Sequence, residues 1–333
     1  MIPQALGLSP DEVNSALAAA GHAPSLHNSQ PWRFRLTEEV IELHQDSDRA
    51  LGAADPDGRE LRLACGAALF NLRLALHGYK IRPVVTLLPD RERPELLAAV
   101  RHGGWKLPTP EQDRLLRAIP SRHTNRRPFS ATSVAASEQH ALRRAALREG
   151  AALHVVDQIE QRGRLRAMAA QAHAEQMADP AFRAELEAWT AVSAERTDGV
   201  PAYAGGPLRE PQDTWVLRDF TAGTGPTRVP GGDFEEDPLV AVLTPHLSGP
   251  YGDLQAGQAL QRILLTATSM GVACSFVSQL IEVDHVREEL RRMIGATGSP
   301  SAVLRLGYGW PVLRTERRPV HDLLNPEPHR AQT

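Results

Sequence analysis

Apolar residues recur along this chain in two rhythms. Behind Ser9-Pro10-Asp11-Glu12, a capping box with proline in its first turn, they fall at helical spacing, which predicts a helix from there to Gly21. Phe34 to Leu43 alternates instead, with Arg33, Arg35, Glu38 and Glu42 as polar partners, the rhythm of a strand with one wet face. Arg59 to His77 returns to helical spacing, with Leu61, Ala64, Ala68, Leu72 and Ala75 on one face and Gly78 placed as a cap. Ile81 to Leu88 reads as a strand near a sheet edge, because Pro83 has no N–H to offer a ladder.

Thr109-Pro110-Glu111 opens a second capped helix that runs to Ala118, and Ser137 to Glu149 forms another. Ala152 to Val156 is a short strand, and Glu160 to Ala191 is largely helical with a break near Pro180. Val240 to Leu243 is a strand, Leu254 to Met270 a long helix, and Ala302 to Leu306 a final strand. From Asp198 to Pro238 both rhythms vanish, and only Trp215, Val216, Leu217 and Phe220 offer anchors. So long a stretch inside a compact chain is a functional lid or a disordered connection. Gly66-Ala67-Ala68-Leu69 and Gly257-Gln258-Ala259-Leu260 both open apolar helices that run into extended segments. This faint repeat fits either chance or two copies of one α+β unit.

The chain has 333 residues, enough for one large domain or two smaller ones. Hydrophobic residues make up 42% and aromatics only 5%, so the cores rest on Leu, Ala and Val. The formal charge of −3 gives no reason to expect nucleic acid or an anionic membrane as a partner. Only Lys80 and Lys106 are lysines, so arginine supplies 35 of the 37 basic residues, which suits phosphate recognition as well as a compositional bias. Cys65 and Cys274 each sit in an apolar run and read as buried free thiols. Asp11 and Glu12 stand where an export signal would be positive, and residues 263 to 281 are uncharged but interrupted by hydroxyls and Gly271. A buried helix followed by a buried turn, in a soluble cytoplasmic protein, is the expectation.

The common catalytic motifs are absent: no G-x-x-x-x-G-K-[ST], H-E-x-x-H, G-x-S-x-G or C-x-x-C occurs, and the thirteen histidines show no paired metal spacing. Two polar loops and a basic tail remain. Residues 23 to 34, APSLHNSQPWRF, place Ser25, His27, Asn28, Ser29 and Gln30 within six positions. Taken alone the loop is a well-capped connection or an edge for an uncharged heterocycle, and Trp32 beside it reads as core. The second loop presents Arg122, His123, Thr124, Asn125, Arg126 and Arg127, and the tail adds Arg314, Arg317 and Arg318. Either cluster alone reads as wet surface, but guanidinium forks also hold phosphate bidentately. One ligand would use all three segments, a flavin mononucleotide with its heterocyclic ring and its phosphate.

These loops carry a family resemblance. APSLHNSQPWRF resembles the P-S-x-x-N-x-Q-P-W loop of the nitroreductase superfamily, and Arg122-His123-Thr124-Asn125-Arg126 resembles its R-x-[ST]-x-[RK] phosphate loop, with Phe129 as the following aromatic. The usual order of the two loops is reversed here. That order, DGVPAYAGGPL from Asp198, the RDF at Arg218 to Phe220 and AGQALQRILLTATSMGVACSFVSQLIE are similar to the Acg-type FMN-binding oxidoreductases. The resemblance spans nearly the whole chain. It implies an α+β nitroreductase-like fold, with helices around mainly antiparallel sheets. Two tandem halves, residues 1–108 and 109–333, would form an intrachain pseudo-dimer, with a lid-like segment at about 198–238.

The resemblance further implies FMN contacts from Pro24, Ser25, Asn28 and Gln30 at the ring, and from Arg122, Thr124 and Arg126 at the phosphate and ribityl chain. Arg317 and Arg318 match the family's late basic pair at the phosphate. Ser278 and Gln279 fall where the family offers a backbone N–H to flavin N5, although glycine is commoner there. One loop of each kind implies one flavin. NAD(P)H would be the electron donor and a nitroaromatic or quinone-like small molecule the acceptor, with no side chain required as catalyst. The rivals are a flavin-sequestering protein whose lid covers the FMN, and an interaction protein on a degenerate flavin fold. Monomer and homodimer both remain open, since a fused pair has lost the usual reason to dimerise.

Overall fold

The computed structural model describes residues 2–210, 213–215, 217–228, 235 and 238–325. Helix α1 (Pro10–Gly21) begins at the expected capping box, with Ser9 Oγ accepting from Glu12 N–H and Glu12 returning the bond to Ser9. The single strand expected over Phe34 to Leu43 is instead a hairpin, β1 (Trp32–Leu36) and β2 (Val40–Gln45), paired antiparallel with Phe34 opposite Leu43. Residues 37–39 turn the chain without breaking its alternation, because Thr37 Oγ1 takes the Val40 N–H. The periodicity therefore survives the reversal.

Helix α2 (Arg59–Gly78) absorbs Gly78 as its last residue instead of using it as a cap, and the left-handed residue after it is Lys80, at φ 63°. β3 (Ile81–Leu87) lies at the sheet edge as Pro83 requires. β4 (Leu96–Trp105) was not expected; its first five residues are all buried, and it stands between β2 and β3 in the order β1-β2-β4-β3. Helix α3 (Pro110–Ala118) starts at the Thr109 capping box.

α4 (Ala136–Arg148) and β5 (Ala151–Val156) follow, and then α5 (Ile159–Ala178) and α6 (Pro180–Trp189), separated at Pro180 as expected. Two short strands, β6 (Thr190–Val192) and β7 (Val200–Pro201), form a parallel pair. β8 (Leu239–Pro245), α7 (Gly249–Ser269), β9 (Ala273–Phe276), α8 (Gln279–Glu282), α9 (Asp284–Met293) and β10 (Ala302–Gly307) complete the chain's regular structure. The second large sheet runs β5-β8-β10-β9 and is antiparallel throughout, so the fold is α+β. Residues 263 to 281 are thus the end of α7, a strand and a short helix, and among the described residues no helix is long and apolar enough to cross a membrane.

α1, α2 and the first sheet share a core that includes Trp32, Phe34 and Leu69, all fully buried. α4, α7 and the second sheet form another, and α5, α8 and α9 cover its far face. The two repeat glycines meet where α2 crosses α7. A Cβ added at Gly66 would lie 3.0 Å from Gly257 Cα, and one at Gly257 would lie 2.9 Å from Gly66 Cα. Only bare backbone permits that approach. The chain's final described segment returns to the first half, where Asn325 N–H donates to Phe34 O at 2.9 Å and Leu323 joins the first core.

Candidate functional site

One large cleft, lined by residues from 22 to 317, is about 1400 Å³ with its solvent-open part included. The polar loop supplies Pro24, Ser25, His27 and Asn28 to its wall. A 3₁₀ turn over Leu26–Asn28 carries them, and three non-glycine residues sit in left-handed conformations: His27 (φ 49°), Asn28 (φ 57°) and Gln30 (φ 52°). Each such residue costs on the order of 1 kcal/mol or more, so surrounding contacts must hold the loop in place. They do so from three directions. Ser25 Oγ accepts from Gln30 N–H at 2.9 Å, Asn28 Nδ2 donates to Gly199 O (3.0 Å) and to Glu316 O (3.1 Å), and Gln30 Nε2 donates to Thr197 O (2.8 Å). Asn28 spends both amide hydrogens on backbone, tying the loop to residues 197–208 and to the tail.

Arg122, Thr124 and Arg126 line the same cleft. Their loop is pinned beside β9, with a bridge between Thr124 and Cys274 and a bond from Asn125 N–H to Cys274 O at 2.9 Å. Arg122 is 6% exposed, reaches only His22 O at 3.4 Å, and leaves its Nε–H without a partner. Arg317 bonds Thr315 Oγ1 at 2.6 Å and likewise leaves Nε unpartnered. Arg314 joins them on the wall through a bond to Pro120 O. None of Arg122, Arg126, Arg314 and Arg317 has a carboxylate partner among the described residues. Burial pulls Arg122 down to about 10, and burial with the neighbouring Arg122 pulls Arg317 down to about 9. Buried Arg122 beside half-buried Arg317, each lowered and each with an unpartnered Nε–H, makes a wall suited to an anion.

The two arginines of the tail divide the work, a point on which the sequence is silent. Arg317 lines the cleft, whereas Arg318 and Gln30 do not. Arg318 N–H donates to Gln30 Oε1 at 2.9 Å, its guanidinium donates to Gln30 O at 3.2 Å and to Asp322 O, and Asp46 lies 3.6 Å away. The Gln30 and Arg318 groups are therefore consumed in a strut that sets the register of the tail and aims Arg317 inward. Both belong to the site's support instead of its wall.

Ser278 and Gln279 line the cleft at the start of α8. Ser278 Oγ accepts from Arg218 at 3.3 Å, and Arg218 also grips the fully buried Glu282 at 2.6 Å and Gln176 at 2.8 Å. Arg218 comes from the segment expected to act as a lid. Burial pushes the Glu282 carboxyl up, but Arg218 more than offsets it and the net direction is down. Ala204, Gly205, Trp215, Leu217 and Phe220 from the same segment also face the cleft, and Val216 lies outside the described residues. Arg126 closes the contact from below, donating to Ala204 O at 2.8 Å with its guanidinium 4.5 Å from the Phe220 ring centre.

Among the titratable lining residues, His22, His27 and Glu60 were given no role by the sequence reading. His22 follows the end of α1, and burial with Arg317, Arg122 and Arg314 lowers it to about 4. His27 sits at a free position of the loop motif, 4% exposed, with no partner for either ring nitrogen. Glu60 opens α2, where an acidic residue is ordinary for a first turn and gives no signal. The two cysteines are buried free thiols as expected, and among the described residues no group of three or more His, Cys, Asp or Glu could hold a metal.

No protein-family model matches the chain. It is 33% identical over 303 residues, 90% of its length and 85% of the relative's, to the Mycobacterium tuberculosis protein named "Putative NAD(P)H nitroreductase Rv3131". It is 29% identical over 320 residues, 95% and 96% of the two chains, to that organism's "Putative NAD(P)H nitroreductase acg". A solved nitroreductase with bound FMN from Bacteroides fragilis aligns at 15% identity and a TM-score of 0.38, over 61% of this chain and 93% of that one. On the first of these likenesses, the chain belongs to the NAD(P)H nitroreductase family.

Proposed function

We propose that the cleft binds FMN and that the protein is an NAD(P)H-dependent flavin oxidoreductase acting on nitroaromatic or quinone-like acceptors. The observation that carries this reading is the cluster of Arg122, Arg314 and Arg317, cations without a carboxylate partner among the described residues, in the wall of a cleft that also presents the uncharged Ser25, Thr124, Ser275, Ser278 and Gln279. Those residues fit the cofactor. The guanidiniums and two orphaned Nε–H groups call for a dianion, while Ser25, Ser275, Ser278 and Gln279 offer neutral donors and acceptors to a heterocycle. Bound FMN would supply two-electron chemistry between NAD(P)H and the acceptor. Arg122 and Arg317 hold the phosphate, Thr124 adds a hydroxyl beside it, and Pro24 and Ser25 shape the ring edge. Asn28 and the Gln30–Arg318 strut keep loop and tail in register. Arg126 brings positive charge beneath the lid, which excludes water.

Each large sheet draws its strands from one side of the proposed boundary at residue 108, and the repeat glycines meet at the helix crossing. Both facts support the reading of two tandem halves as an intrachain pseudo-dimer around one flavin. A second function is favoured by the lid itself, which faces the cleft and is latched through Arg218 to Glu282. A latch that stays shut makes a flavin-sequestering protein. Steady-state NADPH oxidation with a quinone, using FMN-loaded protein, separates the two. Turnover above free FMN supports the reductase. No turnover until Arg218→Met and Glu282→Leu together release the latch would support sequestration.

A further inference from the structure

One carboxyl in the cleft has no task in the scheme above. Glu60, in the first turn of α2, lines the wall and makes no hydrogen bond or ion pair among the described residues. An acid in a helix's first turn is normally solvated and ionised. Here the charges that weigh most on it are Asp55 from the preceding turn, Glu282 on α8, Arg59 beside it on α2 and Asp253 on α7, with Arg218 paired to Glu282 in the same cleft. Arg122, Arg314 and Arg317 are not among them. Burial, followed by Asp55 and Glu282, pushes the Glu60 carboxyl well above the usual range, toward the protonated acid. His27 lines the same cleft, 4% exposed, with neither ring nitrogen partnered and its ring 6.1 Å edge-on from lid residue Phe220. A half-buried acid and a buried imidazole, neither with a hydrogen-bond partner among the described residues, are both open to a polar ligand in this cleft.

We propose that Glu60 is the proton donor to the electron acceptor, and that Glu60 and His27 form the subsite for the acceptor's oxygen, an inference resting on the flavin oxidoreductase reading above. The acceptor class is a carbonyl or nitro compound whose oxygen takes a hydrogen bond from the acid. With FMN bound and reduced by NAD(P)H to supply the hydride, a quinone held there would receive its one proton from Glu60. Hydride plus proton turn both quinone carbonyls into the two hydroxyls of the hydroquinone, and Glu60 is left as a carboxylate that regains its proton from water. Atoms and electrons balance with no further reagent.

The test uses the full chain loaded with FMN in its oxidised state, so that no turnover occurs, and acetophenone labelled with 13C at its carbonyl. Its dissociation constant and carbonyl stretch are measured against pH for the wild type, Glu60→Gln and Glu60→Leu. In the wild type the ketone band lies at lower frequency while Glu60 is protonated, and affinity falls about tenfold as the acid ionises with rising pH. Glu60→Gln keeps a donor and loses the pH dependence, yet its quinone turnover falls ~10²-fold or more with KM little changed. Glu60→Leu loses both the band shift and the affinity. Equal ketone affinity in all three proteins across pH, or quinone turnover in Glu60→Gln within about twofold of wild type, overturns the proposal. The flavin spectrum of each sample keeps the two levels apart. Loss of FMN from Glu60→Gln alone makes Glu60 a cofactor ligand and refutes the proton-donor role, whereas wild type unable to bind FMN refutes the underlying reading and this one with it.

Discussion

Replacing Gly257 by alanine drives a methyl group into the crossing of α2 and α7. The new Cβ would lie 2.9 Å from Gly66 Cα and nearer still to Leu63 O, both of them backbone. Carbon atoms rest about 3.5–4.0 Å apart, so the helices must part by roughly 0.5–1 Å. No side chain can swing aside to absorb this, so the strain belongs at the upper end of the ~1–3 kcal/mol typical of overpacking. Alanine returns about 1 kcal/mol in helix propensity, leaving a net loss near 2 kcal/mol. Unfolding entropy of about 0.7 kcal/mol/K for a chain of this length converts that to a fall in Tm of about 3 °C. Gly66→Ala should behave alike, and the double variant should cost less than the sum because both relieve one contact. Gly163 in α5 is the control: a Cβ there meets nothing within 4 Å, so alanine should raise Tm slightly. A thermal-shift series in which Gly257→Ala is as stable as Gly163→Ala would refute the close crossing, and with it the geometry that brings Glu60, Leu63 and Leu260 to one wall.

Arg218→Met should destabilise the protein by ~3 kcal/mol or more in urea titration, because it strands a fully buried carboxylate at Glu282. Adding Glu282→Leu should restore most of that stability while speeding proteolysis within 197–228, and a single variant as stable as wild type would remove the latch. Burial, followed by Arg218, lowers His27 to about 3 from 6.5. A folded value below the unfolded one means that the stabilisation is complete above pH 6.5 and is lost as pH falls toward 3, by at most ~5 kcal/mol. His27→Phe should therefore flatten the acid limb of a stability–pH curve measured by urea unfolding, and superimposable wild-type and variant curves would show that His27 is not buried neutral.

The capping boxes at Ser9 and Thr109 and the break at Pro180 were legible because each is a local signal written in consecutive residues. The hairpin over Trp32–Gln45 was hidden because polar residues 37–39 preserve the alternation through the turn. β4 was hidden for the opposite reason, since Leu96 to Val100 is a continuous apolar run that alternates nowhere. At the site, residue types pointed to the ring and phosphate loops, but tertiary contacts decide what each side chain does. Arg317 and Arg318 are adjacent and chemically identical, and only the Gln30 strut sends one inward and the other to Asp322. Glu60 is invisible in sequence because the upward push on its carboxyl comes first from burial, which only the fold sets, and then from nearby Asp55 together with Glu282 on α8.

The central claim, a cleft that grips a flavin by its phosphate, is tested most directly by comparing FMN with riboflavin, which differ only in that group. Fluorescence titration of the purified chain should give FMN an affinity ~10²-fold or more above that of riboflavin, since each charge-assisted contact contributes about 1.5–3 kcal/mol. The paired change Arg122→Met and Arg317→Met should abolish most of that difference while leaving riboflavin affinity nearly unchanged. Equal wild-type affinities for the two flavins, or no binding of either, would contradict the account.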